Sequence, residues 1–282
     1  MEKNNGDELH AFEDLVQDQI DSFDKHNYGY INDQVIKHRD LIRMLLMKQD
    51  AFLTENNKID LFTDGHKLYE KVLEDIYNAQ DYIHLEYYTF ELDGLGKRIL
   101  DALETKLKEG LEVKLLYDDV GSKKVRLSKF KHFRALGGEV EAFFPSKVPL
   151  INFRMNNRNH RKIIIIDGQI GYVGGFNVGD DYLGLGKLGY WRDTHTRVQG
   201  ECIDALQLRF ILDWNSQSHR PQFKFDQKYF PKKNGDKGNA AIQIASSGPA
   251  FDLHQIEYGY TKMIMSAKKS IYLDRKSTRL NS

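Results

Sequence analysis

Asn159-His-Arg-Lys-Ile-Ile-Ile-Ile-Asp-Gly168 runs straight into Gln169-Ile-Gly-Tyr-Val173. Four consecutive isoleucines leave no polar side, so residues 161–166 are expected as a strand buried on both faces. Asp167-Gly168 is the dipeptide preferred in a tight hairpin turn, and Gln169 to Val173 supplies the returning strand. Along the first strand residues i and i+2 point the same way, so His160 and Lys162 project together. Neutral imidazole can displace an alcohol from phosphorus, and a fixed ammonium offsets the charge on the non-bridging oxygens. Asp167 completes an H-x-K-x4-D pattern and takes a supporting role in it beside its role in the turn. Three fixed residues arise by chance in a chain of this size on the order of a few per cent of the time, so the flanking sequence must raise the pattern.

The flanks do so. Gly174-Gly-Phe-Asn-Val-Gly179 is a glycine-bearing loop in which Gly175 lets backbone approach a ligand and Asn177 can donate its amide to a phosphate oxygen, although an ordinary turn fits the same residues. Tyr190 to Gly200 alternates like a strand, and Asp193 on it can accept from one imidazole nitrogen of His160, leaving the other free to attack. A surface or turn carboxylate is the other reading of Asp193.

These segments resemble the phospholipase D superfamily, whose HKD motif they match, and more closely the bacterial cardiolipin synthases. The resemblance runs from about Asp40 to Leu273, through Asp60-Leu-Phe-Thr-Asp-Gly65, Ala142-Phe-Phe-Pro-Ser-Lys147, Pro149-Leu-Ile-Asn-Phe-Arg154, Asn156-Asn-Arg-Asn-His-Arg-Lys162, Tyr190-Trp-Arg-Asp-Thr-His195, Arg209-Phe-Ile-Leu-Asp-Trp-Asn215 and Ile244-Ala-Ser-Ser-Gly-Pro249. It implies that His160 becomes a covalent phosphatidyl carrier, that Lys162 and Asn177 hold the phosphate, and that Asp193 orients His160. It also implies condensation of two phosphatidylglycerols to cardiolipin and glycerol at the cytoplasmic face of the bacterial cell membrane. A phospholipase or nuclease of the same superfamily and a non-catalytic phosphate- or lipid-binding half are the alternatives.

An internal repeat is visible without the family. Ile59-Asp-Leu-Phe-Thr-Asp-Gly65 parallels Ile242-Gln-Ile-Ala-Ser-Ser-Gly248, and the stretch from Ile76 to Leu85 parallels that from Ile264 to Leu273, each unit reading strand, helix, strand. The chain closes at Ser282, too soon after Leu273 to hold the counterpart of the stretch from Leu85 to His160. The expectation is a fragment without a second HKD, with residues 274–282 as a non-native tail and no normal synthase activity of its own. Pairing of two copies, as a homodimer, is the expected route to any rescue.

The repeat divides the chain into a helical or linking segment at 1–56, a first phospholipase D-like half at 57–230, a linker at 231–240 and the start of a second half at 241–273. Strands are expected at 58–63, 81–90, 111–117, 138–144, 161–166, 169–174 and 193–199, and helices at 33–48, 66–79, 94–109, 126–136 and 201–215. Such alternation gives an α/β chain, which the resemblance makes a layered α-β-α structure with a mixed sheet.

Of the 282 residues 40% are hydrophobic, and 41 basic residues balance 41 acidic ones, so no global charge points to nucleic acid. Cys202 is the only cysteine, which rules out an internal disulfide. No run approaches eighteen apolar residues, so no membrane span is encoded in this stretch. Lys147 to Arg158 sets Val148, Leu150, Ile151 and Phe153 beside Arg154 and Arg158 immediately before His160. This is the expected contact with a membrane surface and an anionic headgroup, unless the apolar residues cover the core and the arginines are solvated. His84 and His195 fall on strands near the expected site and read as structural histidines or as members of it. Asp118-Asp119 reads as a turn or as a magnesium site at a strand end. Metal-independent chemistry without a cofactor is expected.

Overall fold

The computed structural model describes residues 4–25, 33–143, 158–187, 189–217, 223–234, 238–247 and 255–273. In chain order the elements are α1 (Asn4–Asp24), α2 (Asp33–Ile36), α3 (Arg39–Gln49), β1 (Leu53–Asp64), α4 (Gly65–Asn78), β2 (Tyr82–Tyr87), α5 (Gly94–Lys108), β3 (Glu112–Asp118), α6 (Lys131–Ala135), β4 (Glu139–Phe143), β5 (Lys162–Ile166), β6 (Ile170–Gly174), β7 (Arg192–Gly200), α7 (Ile203–Gln217), β8 (Ala240–Gln243) and α8 (Gln255–Ser266). The chain divides into two units, one drawn from residues 1–10 and 55–240, the other from 11–54 and 241–282.

In the first unit a mixed sheet runs in the order β4-β3-β2-β5-β6-β7-β1. Strands β2, β3 and β4 are parallel, and β5 enters antiparallel to β2, followed by antiparallel β6, β7 and β1. The four isoleucines make β5 a central strand. Ile164 and Ile166 join Leu68, Val72, Ile99 and Leu103 of α4 and α5 in one core. Ile163 and Ile165 face the other way and are equally buried, on the side where Phe210 of α7 stacks on His84 at 4.8 Å. Burying each isoleucine contributes about 2 kcal/mol, and burial on both faces explains why the run carries no alternation.

The hairpin closes as the Asp-Gly dipeptide requires. Asp167 and Gly168 both have positive φ, 52° and 59°, the left-handed pair that matches strand twist, and Gln169 extends the loop by one residue before Ile166 pairs with Ile170. Helix starts follow local chemistry as well: Asp64 accepts from Lys67 N at 3.0 Å to cap α4, and Asp93 accepts from Gly96 N at 3.2 Å to cap α5. The stretch Pro231 to Asn234, expected as a linker, is tied down by Gln169, whose side chain donates to Lys232 O at 3.1 Å and accepts from Asn234 N at 3.1 Å.

In the second unit Gln243 donates to Ile42 O at 3.1 Å and Ala51 O at 2.6 Å, and Thr54 donates to Ile242 O at 3.1 Å. Leu45 of α3 lies 3.5 Å from where a Cβ on Gly259 of α8 would stand. Three local expectations change here. Residues 4–24 form one 21-residue helix where the sequence looks loosely patterned; the signal was Phe12, Val16, Ile20 and Phe23 at helical spacing. The helix expected at 33–48 breaks at Lys37-His38. Ser270-Ile-Tyr-Leu273, expected as the second strand of the repeat, has no regular structure and leaves Tyr272 92% exposed, because a strand needs a partner for its backbone groups. The tail at 274–282 lies outside the described residues. Among the described residues no helix is long and apolar enough to cross a membrane.

Candidate active site

Antiparallel pairing of β5, β6 and β7 brings the start of β5, the end of β6 and the start of β7 to one end of the sheet, where β2 and β3 also finish. His160, Lys162, Gly175, Asn177 and Asp193 all lie at that end. The i, i+2 relation holds: Lys162 Nζ is 3.0 Å from His160 Nδ1 and donates to His160 O at 2.6 Å. His160 is exposed, whereas Lys162 is 2% exposed. A buried ammonium beside an exposed imidazole is a cation fixed in place by packing and free of side-chain entropy still to lose.

Tyr88 completes this pair, and the sequence does not single it out. Its ring lies 4.4 Å from the His160 ring and 5.2 Å from Lys162 Nζ, and its N–H donates to Arg161 O at 3.1 Å. The signal available was a Tyr-Tyr pair at the end of a buried strand. β2 stops at Tyr87, short of the expected 90, and residues 88–90 cross instead to the glycine-bearing loop. There Thr89 N donates to Asn177 Oδ1 at 3.0 Å, and Val178 N donates to Thr89 O at 3.1 Å. Asn177 is 1% exposed, and its amide donates to Tyr182 Oη at 2.8 Å. One amide hydrogen of Asn177 is thus engaged by Tyr182.

Asp193 is half-buried, and its Oδ1 accepts from Thr194 N at 2.8 Å. Gly175 lies beneath it: a Cβ there would stand 1.9 Å from Asp193 Oδ1, so the glycine makes room for the carboxylate. Gly175 N donates to Thr194 O at 2.8 Å and holds the two segments in register. His195 is 1% exposed with Nδ1 unbonded, and burial first, then Lys162, pulls its pKa down to about 3. It is a neutral, packed histidine at working pH.

One expected site residue is placed otherwise. Asp167 stands at the opposite end of β5, about 20 Å from His160 at the usual rise per residue. Its carboxylate accepts from the backbone N–H groups of Gln80, Asp81 and Tyr82 at 2.8, 2.8 and 3.0 Å and anchors the start of β2. The Arg158 side chain is 9% exposed, with Asp118 Oδ1 at 4.0 Å, which removes the alternative of a solvated arginine. Arg154 and the rest of the expected lipid contact from Lys147 to Asn157 lie outside the described residues. Asp118 accepts from Val120 N, Gly121 N and Asn159 N at 2.9, 2.9 and 3.2 Å, the work of a turn carboxylate. Among the described residues no group of three or more side chains is arranged to hold a metal ion.

Residues 72–186 match the family model described as cardiolipin synthase, PLD-like domain. Cardiolipin synthase 1 of Staphylococcus epidermidis is 99% identical over 273 residues, which are 97% of this chain and 56% of that protein. Cardiolipin synthase 1 of Staphylococcus aureus is 75% identical over 97% of this chain and 55% of its own length. The chain spans about half the length of these curated relatives. Among solved structures, phosphatidylserine synthase of Haemophilus influenzae overlays with a TM-score of 0.48 at 18% identity, covering 62% of this chain and 40% of that one. With the H-x-K pair, the glycine-asparagine loop and near-identity to these relatives in place, the chain belongs to the cardiolipin synthase family of phospholipase D-like proteins.

Proposed function

We propose that the chain supplies the nucleophilic half of a phosphatidyltransferase that condenses two phosphatidylglycerols to cardiolipin and glycerol. The observation that carries this reading is the exposed His160 imidazole held 3.0 Å from the buried Lys162 ammonium. His160 Nε2 attacks phosphorus, the P–O bond to glycerol breaks, and a phosphohistidine forms. The hydroxyl of a second phosphatidylglycerol then displaces the imidazole. Lys162 and the second Asn177 amide hydrogen carry the charge that builds on the non-bridging oxygens.

Attack through Nε2 needs the ring proton on Nδ1, where Lys162 donates in this arrangement. When substrate binds, a phosphate oxygen replaces Nδ1 as an acceptor of the fixed ammonium, and Asp193 then accepts from Nδ1–H. The lipid hydroxyl wins over water only where the site excludes water. Membrane association at the cytoplasmic face brings both substrates to it.

His160 is the only histidine in an H-x-K pattern in the chain. A second acid/base group is therefore needed to protonate the departing glycerol, from further chain or from a second copy. The test compares the size-fractionated 282-residue chain with the full-length Staphylococcus epidermidis relative on phosphatidylglycerol vesicles. Cardiolipin is expected from the full-length protein and, if two copies join their sites, from a dimer fraction. Robust synthesis by a purified monomer would overturn the half-site reading, and water-dominated turnover by the full-length protein would replace transfer with hydrolysis.

A further inference from the structure

Two buried acids next to the neighbours of His160, Glu86 beside Asn159 and Asp213 beside Arg161, are not used by the proposed chemistry. Glu86, 1% exposed on β2, faces the same side of the sheet as Ile163, its partner across to β5, while Lys162 faces the other. The Asp213 carboxylate of α7, 5% exposed, is the charged neighbour whose repulsion adds to burial in raising the pKa of Glu86. Arg161 holds Asp213 at 3.0 Å, and Arg209 holds it with two contacts of 2.7 and 3.1 Å. Asn159 donates to Glu86 Oε1, and its own Oδ1 accepts from Arg161 N at 3.1 Å. Residues 159 and 161 are thereby fixed on either side of the nucleophile.

Glu86 Oε2 is buried without a hydrogen-bond partner. An ionised carboxylate cannot leave an oxygen so placed cheaply, but a protonated one can donate from it to Asp213. We propose that Glu86 and Asp213 share a proton, and that this pair is a positioning device which holds Asn159, and through it His160, in attack geometry. The claim rests on His160 being the nucleophile. Burial raises the pKa of Glu86, with repulsion from Asp213 next and Arg161 opposing, which is the direction a shared proton needs. The other charged groups around the pair are Arg209 on α7, and Asp118 and Arg158 on the far side of Asn159. Lys114, one residue pair further along β3, is occupied by Glu139 and Glu112.

Glu86→Gln separates a shared proton from a charge, because its amide can donate to Asp213 while its oxygen still accepts from Asn159. In the full-length relative with labelled phosphatidylglycerol, Glu86→Gln is expected to keep the covalent labelling rate within about threefold and to abolish the alkaline decline that deprotonation of Glu86 causes. Glu86→Ala is expected to slow labelling by about a hundredfold with KM unchanged, the cost of a displacement near 1 Å. Independently of activity, the His160 imidazole NMR resonance of the 282-residue chain should broaden or shift in Glu86→Ala and not in Glu86→Gln. Loss of labelling in Glu86→Gln equal to that in Glu86→Ala, or an unchanged His160 resonance in Glu86→Ala, overturns the proposal. Should Glu86→Ala fail to fold, the rate and pH profile of Glu86→Gln decide it. Labelling that survives His160→Ala overturns instead the choice of nucleophile, while the resonance still reports on Glu86.

Discussion

Asp193 stands so close above Gly175 that a single methyl group would displace it, which makes the glycine part of the carboxylate's placement. Asp193→Asn keeps the shape and removes the charge that would hold His160 Nδ1–H. In the full-length relative this change is expected to lower covalent labelling by about a hundredfold or more while the thermal midpoint stays put. Gly175→Ala is expected to act in the same direction, and the double variant to be little worse than either single one, since both remove one interaction. Additive losses would show that Gly175 and Asp193 act separately. In the proposed mechanism Lys162 acts by charge, so Lys162→Ala is expected to cost about 10²–10³ in turnover, and unchanged turnover would remove it from the site.

At the scale of elements, Asp167 matters through β2. Its carboxylate takes three backbone donors at the start of that strand, and Asp167→Ala is expected to destabilise the chain by about 2 kcal/mol in urea unfolding. The labelling rate per folded molecule should stay the same; a loss of rate without loss of stability would return Asp167 to the site. The contrast with His160 and Lys162 shows what a sequence carries. Alternation on a strand is local, so the spacing of two residues could be read directly from the chain. The step from His160 to Asp167 is also local, and it spans a whole strand, which separates the ends of one motif by the width of the sheet. Tyr88 reaches His160, and Glu86 reaches Asn159, only through the pairing of β2 with β5, a register that no local pattern records. The run of isoleucines likewise announces a buried strand and leaves its neighbours unspecified. Residues 270–273 show the reverse case, a strand pattern with no strand to pair with among the described residues.

At the scale of the whole molecule, two buried neutral histidines tie stability to acidity. His195 is drawn down to about 3, and burial lowers His84 as well. In both, the folded state binds the proton less well than the unfolded chain, whose histidines titrate near about 6.5. For His195 stability is therefore full above that value and is lost as pH falls through it towards 3, by about 1.4 kcal/mol per pH unit, and His84 adds in the same direction. Urea midpoints between pH 8 and pH 4 should show this loss, with a shallower slope in His195→Gln; an identical slope would mean that His195 is charged in the folded state. The chain also spans only about half of its relatives, so its chemistry is tested in the longer protein. The most direct test is rapid quench of the full-length Staphylococcus epidermidis relative with labelled phosphatidylglycerol, followed by mapping of the label. An acid-labile, alkali-stable phosphohistidine on the peptide that contains His160, absent in His160→Ala, is the expected result; label that persists on this half of the protein in His160→Ala would contradict it.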